Sequence, residues 1–229
     1  MKNNFVTSLT AALAVVGVAT ITAFTATPAS AFTFGNITGG DTVGDAYKND
    51  FSFDVSQNGA NSVLFKIGFS NTVASSPSGM FIGTVYFDVA KTLLTGVNSV
   101  NVGNVGNVNF TGGASTANMP QGNIIGFSTD YAFDNVNGAG NKWAIQSGES
   151  LGISFAGKYA DVISAINAGS LKLGLHVQNI NGGSDTFVSE TPGGGTPPES
   201  VPEPLTMTGL ALGLGGMMAA RRRQANKTA

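Results

Sequence analysis

From Phe32 onward the dominant spacing of apolar residues is two. Phe51, Phe53 and Val55 alternate with Ser52, Asp54 and Ser56, and Phe65, Ile67 and Phe69 repeat the pattern beyond the turn-forming stretch QNGAN. Side chains of a strand point alternately to opposite faces, so each segment predicts a strand with one wet and one buried face. The same reading predicts strands over Phe81–Val89, 97–110, 124–131, 151–155, Leu171–Ile180 and 186–189, with NINGGSD turning the chain before the last. One segment departs from the pattern. In KYADVISAINAGS, Tyr159, Val162, Ile163 and Ile166 fall at i, i+3, i+4 and i+7, and Gly169 follows where a helix commonly ends. This spacing predicts a short amphipathic helix of about ten residues, a crossover capping one open end of the fold. Short strands joined by Gly, Asn and Ser turns point to an all-β fold, an antiparallel β-sandwich or jelly roll whose core takes most of the phenylalanines. The repeat VNVGNVGNVNF is too short for a solenoid and reads as an irregular strand pair or edge with glycine bulges.

The pattern changes at both ends of the 229 residues. At the start, Lys2 precedes an apolar run over 9–24, and Pro28 breaks any helix before Ala29-Ser30-Ala31. Small residues at Ala29 and Ala31 suit a signal peptidase pocket, which places cleavage after Ala31 and makes 1–31 an export signal. An uncleaved N-terminal membrane helix is the alternative, and it exports the body equally. The expected β domain spans 32–190. After it, ETPGGGTPPESVPEP holds five of the eight prolines between Pro192 and Pro204, and 191–201 reads as a semi-extended linker. Sixteen uncharged residues follow over 205–220; at about 1.5 Å each they reach roughly 24 Å of a hydrocarbon core of about 30 Å. Arg221, Arg222 and Arg223 then form a stop-transfer cluster held on the cytoplasmic side. The implied topology has the body outside and the tail tip inside.

Pro202-Glu203-Pro204, a short glycine-rich apolar stretch and an arginine cluster near the end together resemble a PEP-CTERM sorting domain over 202–229. The wording VPEPLT is similar to versions associated with cyanobacterial envelope proteins. The resemblance implies recognition and processing by an exosortase, a membrane-embedded transpeptidase-like enzyme. Prolines on both sides of Glu203 hold an extended backbone of the kind a protease-like groove binds. A retained one-pass anchor is the alternative. The region from WAIQSGESLGISF through LGLHVQNINGGSDTFVS also resembles the closing part of β-rich ectodomains that often precede such a tail.

Composition narrows the chemistry. The stretch 32–200 carries six lysines and no arginine against twelve acids, a net charge of −6, which gives no footprint for nucleic acid. The absence of cysteine excludes disulfides, thiol nucleophiles and cysteine-held zinc. The single histidine, His176, stands between Leu175 and Val177 and is expected on the wet face of its strand. Asp41, Asp45, Asp50 and Asp54 recur near glycines in GGDTVGDAYKNDFSFD, a set of hard oxygen donors suited to calcium, although the run lacks the EF-hand pattern. No other cofactor is expected. Glu149 and Glu190 are the carboxylates to consider as a glycosidase pair. Trp143, after the turn NVNGAGNK, is the candidate glycan contact, since sugars stack on exposed aromatic rings and the chain offers one Trp and four Tyr. The expected function is structural or adhesive and non-enzymatic, at the cell surface or in an extracellular polysaccharide layer. Signal peptidase and an exosortase-like enzyme are the expected partners. A polysaccharide-binding module is the rival, and a secreted hydrolase the third reading.

Overall fold

Alternation in sequence becomes alternation in burial: along Phe51–Gln57, Phe51, Phe53 and Val55 are buried while Ser52 and Asp54 are exposed. The computed structural model describes residues 29–70, 76–136 and 141–191. Its strands are β1 (Ala29–Asn36), β2 (Phe51–Gln57), β3 (Ser62–Phe69), β4 (Phe81–Val89), β5 (Gly96–Val100), β6 (Phe110–Ala114), β7 (Tyr131–Asn135), β8 (Glu149–Ala156), β9 (Leu171–Ile180) and β10 (Gly183–Ser189). One α-helix, α1 (Tyr159–Asn167), joins β8 to β9. Every pairing is antiparallel, in the order β5-β8-β3-β2-β1-β10-β9-β4-β7-β6. The two terminal strands of that order, β5 and β6, approach each other, so the sheet wraps into a nearly closed barrel. The all-β, antiparallel expectation holds.

Strand β1 changes partner halfway along. Ala29 to Thr33 pair with β2, whereas Phe34 to Asn36 pair with β10. The wedge on one side of this crossing is filled by α1, whose Val162 and Ile166 enter the core and whose Tyr159 hydroxyl bonds Ser30 Oγ at 3.0 Å. The other side is filled by a 3₁₀ turn over Asp45–Asp50, which buries Tyr47 and accepts a bond from Asn36 Nδ2 at the Asp45 carbonyl. The helix occupies the predicted residues, and Gly169 follows it with φ +69°. Asn181 and Gly182, both with positive φ, make the two-residue turn from β9 to β10, the conformation that the Asn-Gly pair favours.

The core is aromatic. Phe155 of β8 meets Phe65, Phe87, Phe133 and Tyr131 with ring centroids 5.0–5.9 Å apart, and so ties β3 and β8 to β4 and β7 across the barrel. Phe51 and Phe187, 4.9 Å apart, do the same between β2 and β10. Edge-to-face and tilted rings of this kind add about 0.5–1.5 kcal/mol per pair beyond simple burial.

Two predicted strands are corrected. The segment 97–110 is not one regular strand, because the Val-Gly-Asn repeat leaves β5 at Asn101, with φ 65°, and runs on along the edge of β8 as an irregular strap, as the repeat's reading as an irregular edge implies. Val102 N donates to Gly152 O at 2.9 Å and Val105 N to Ser150 O at 3.0 Å. Asn104 Oδ1 accepts from Gly152 N at 2.9 Å while its Nδ2 donates to Asn101 Oδ1 and Val108 O. Asn101 in turn accepts from Phe110 N and donates to Phe110 O, starting β6. The asparagines are rungs that satisfy backbone groups where no strand runs. Gly152 is required beneath them, since a Cβ there would lie 1.9 Å from Val102 O. The segment 124–131 is likewise not a strand. It forms a 3₁₀ turn over Gly122–Ile124 and a loop with positive φ at Gly126, and only Tyr131 begins β7. Met119, Ile125 and Phe127 from this region lie over Tyr86, Ala132 and Val188, covering the outer face of the sheet.

The aromatic tie gives a direct prediction. Phe155→Ala should cost about 3–5 kcal/mol in urea unfolding, the range for emptying a buried aromatic site. A loss below about 1 kcal/mol would mean that Phe155 does not couple the two walls.

Candidate functional site

The expected cleavage box lies inside β1. Ala29, Ser30 and Ala31 stand opposite Ser56, Val55 and Asp54, so β1 includes three residues ahead of the expected boundary at Phe32. Ala29 and Ala31 are exposed, and their loss empties no core site. Phe32, 5% exposed, is the first core side chain, stacked on Phe53 at 5.0 Å with an 18° interplanar angle. The Ala31–Phe32 bond therefore divides surface from core. Residues 1–28, the motif Pro202-Glu203-Pro204, the apolar stretch 205–220 and Arg221 to Arg223 lie outside the described residues. Among the described residues, no helix is long and apolar enough to cross a membrane.

The four aspartates are dispersed over separate tasks. Asp41 accepts from Thr42 N at 2.8 Å and Val43 N at 3.4 Å, folding its own loop. Asp45 opens the 3₁₀ turn, and Asp50, wholly buried at its end, accepts from the Ser76 hydroxyl. Asp54 lies on the outer face opposite Lys66; burial raises its carboxyl pKa and the lysine opposes the rise. Among the described residues, no three His, Cys, Asp or Glu converge to hold a metal ion.

A carboxylate that the sequence does not single out holds more of the structure. Asp185, 2% exposed, accepts from Gly44 N at 2.8 Å, Thr186 N at 2.7 Å and Gln121 Nε2 at 3.4 Å. Gln121 Oε1 accepts from Asp41 N at 2.9 Å, so Asp185 and Gln121 fasten the loops around residues 41 and 121 to β10. Burial pushes the Asp185 carboxyl up, against the hydrogen bonds that favour its charged form. No spacing in the chain announces this role, because all its partners except Thr186 are remote in sequence.

Glu149 and Glu190 are held apart. Glu149 accepts from Asn107 N at 2.8 Å and Gln146 N at 2.9 Å, pinning the strap. Glu190 accepts from Thr33 Oγ1 at 3.0 Å and pairs with Lys48 at 3.6 Å on an exposed surface. Glu149 begins β8 and Glu190 follows β10, and these strands are four spacings apart in the sheet, about 19 Å along it at ~4.8 Å each. Glycosidase carboxylates need about 5–9.5 Å. Trp143 is half-buried, with the Lys142 ammonium 4.9 Å from its ring centre. One ring face is therefore engaged within the chain. Tyr47, Tyr86 and Tyr131 are buried, and Tyr159 packs against the core, so none of them adds an open ring beside Trp143.

His176 occupies the outer face of β9, half-buried, while Leu173, Leu175 and Val177 point inward as expected. It stands opposite Thr186 on one side and Thr84 on the other, and Thr84 Oγ1 donates to Asp134 Oδ1 at 2.8 Å. Its Nδ1 lies 3.4 Å from Gln178 Nε2, beside an open hollow lined also by Phe81, Asn179 and Ser184. The hollow carries neutral hydrogen-bonding groups, and Thr84 engages the nearby carboxylate of Asp134. Burial lowers the imidazole pKa, with Asp134 and Asp185 opposing the shift.

Two expectations follow. The native imidazole takes a proton less readily than the unfolded chain, so stability is present above the unfolded value near ~6.5 and is lost as pH falls below it. Between pH ~7.5 and ~5.5 the urea midpoint should fall less in His176→Gln than in the parent; equal falls would remove His176 as the source. The raised carboxyls of Asp54 and Asp185 act in the opposite sense at lower pH, and in both proteins alike. Millimolar calcium should leave the melting midpoint unchanged, and an upward shift would restore a binding role to the aspartates. Comparisons of the chain with protein-family models, with curated proteins and with solved structures return no match.

Proposed function

We propose that the chain is an exported module of the cell envelope, a flattened sandwich or jelly-roll ectodomain with a structural or adhesive role, sorted through its PEP-CTERM-like tail. The observation that supports this reading is that the first and last strands of the β domain lie side by side. Strand β1 lies beside β10, Phe34 opposite Ser189, and Glu190 N donates to Thr33 O at 3.0 Å. The chain therefore enters and leaves the barrel at neighbouring points. An export signal before Phe32 and a proline-rich segment after Thr191 meet the domain at the same place. That arrangement suits a body delivered across a membrane and then held at one pole, leaving the rest of its surface free. The uncharged 205–220 stretch and Arg221 to Arg223 give the tail its depth and orientation in a bilayer. Pro202-Glu203-Pro204 sits outside the membrane, where an exosortase-like enzyme reaches it.

Intact-mass measurement of the protein from its native envelope fraction tests this. The expected product lacks 1–31 and has lost the apolar stretch and the arginines. A mass retaining ARRRQANKTA would make the tail a simple anchor, and a mass retaining both ends in a soluble fraction would remove the reading altogether.

A further inference from the structure

The cleavage box and the first rungs of the barrel are the same residues. Ser30, Ala31 and Phe32 stand opposite Val55, Asp54 and Phe53, and Ser30 Oγ is bound by the Tyr159 hydroxyl of α1. A signal peptidase must take this stretch as an extended strand along its own active-site edge, with the methyls of Ala29 and Ala31 in small pockets. A backbone already laddered to β2 is not free to pair with the enzyme. We propose that the Ala31–Phe32 bond can be cut only until β1 pairs with β2, so that processing and folding compete for one segment and processing must come first. This rests on the export-signal reading above.

The competition is unequal in its consequences. Hydrolysis adds water across the Ala31–Phe32 amide, breaking the C–N bond to leave a carboxylate on Ala31 and an ammonium on Phe32. The trimmed strand keeps Phe32 on Phe53 and Phe34 in the core, and gives up the Ser30–Tyr159 bond and the three rungs of Ala29, Ser30 and Ala31. Cutting therefore removes no core side chain. Folding, in contrast, withdraws the whole recognition box from the enzyme. A chain that folds first keeps residues 1–31 and stays joined to its signal.

The test uses the full chain, folded in detergent micelles, and a peptide of residues 9–40 that lacks β2, each given purified signal peptidase and followed by mass spectrometry. The peptide should be cut between Ala31 and Phe32. The folded chain should be cut about tenfold more slowly or worse, because cleavage waits for local opening of β1. Tyr159→Phe, which frees Ser30 without touching the core, should speed cutting of the folded chain several-fold, and Phe53→Ala should speed it further. Melting curves separate a loosened β1 from a wholly unfolded Phe53 variant. A folded chain cut at the peptide's rate, or two variants no faster than the parent, overturns the proposal. A peptide cut elsewhere or not at all overturns it together with the export-signal reading, whereas the sorting-tail reading depends on the mass of the other end.

Discussion

A strand that serves two partners in succession must part from the first before it reaches the second, and β1 does so between Thr33 and Phe34. The parting opens a wedge on each side, and backbone groups in a wedge have no ladder to join. Much of the remaining structure answers this constraint. Helix α1 enters one wedge because Val162 and Ile166 share a face at helical spacing, and the turn over Asp45–Asp50 enters the other with Tyr47 and the carbonyl that Asn36 needs. Without the crossing the barrel would have two free edges at its centre. With it, the first and last strands are brought side by side.

The opposite seam is closed by different means. Here β5 and β6 approach without pairing, and the amide side chains of Asn101 and Asn104 substitute for a ladder. An asparagine carries a donor and an acceptor in one plane, as a peptide does, and so it can stand in for a missing rung. One barrel thus has a seam sealed by apolar burial and another sealed by hydrogen bonds. Strand edges that would otherwise recruit a foreign strand are covered at both.

Strands β2, β3 and β9 and helix α1 are legible in the sequence because one face is in the core and the other is more exposed, so residue order records orientation, whereas β4, covered on both faces, is legible as an apolar run. The record fails where a strand lacks the side chains that would alternate, or where a loop copies the spacing of a strand. Strand β6 has Phe110 buried but the glycines Gly112 and Gly113 where an alternating strand would place side chains. The stretch 124–131 shows apolar residues spaced like a strand, although Ile125 and Phe127 are a lid over Tyr86 rather than rungs. Strand β1 hides behind a cleavage signal written in the same residues. The candidate chemistry is less legible. Alternation puts His176 on the outer face, but the dispersal of the four aspartates and the anchoring role of Asp185 depend on contacts such as Gly44 with Asp185, which no local pattern encodes.

The place of β10 has a mechanical meaning. It is flanked by β1 and β9, antiparallel to each, and it is the strand from which the C-terminal segment departs. A pull on that segment along the strand axis loads the rungs on both sides of β10 in shear, so many bonds resist together instead of opening one after another. The Lys48–Glu190 pair and the Thr33–Glu190 bond lie at the point where the force would enter. A domain held by its last strand in this way yields late under tension, with both neighbours sharing the load.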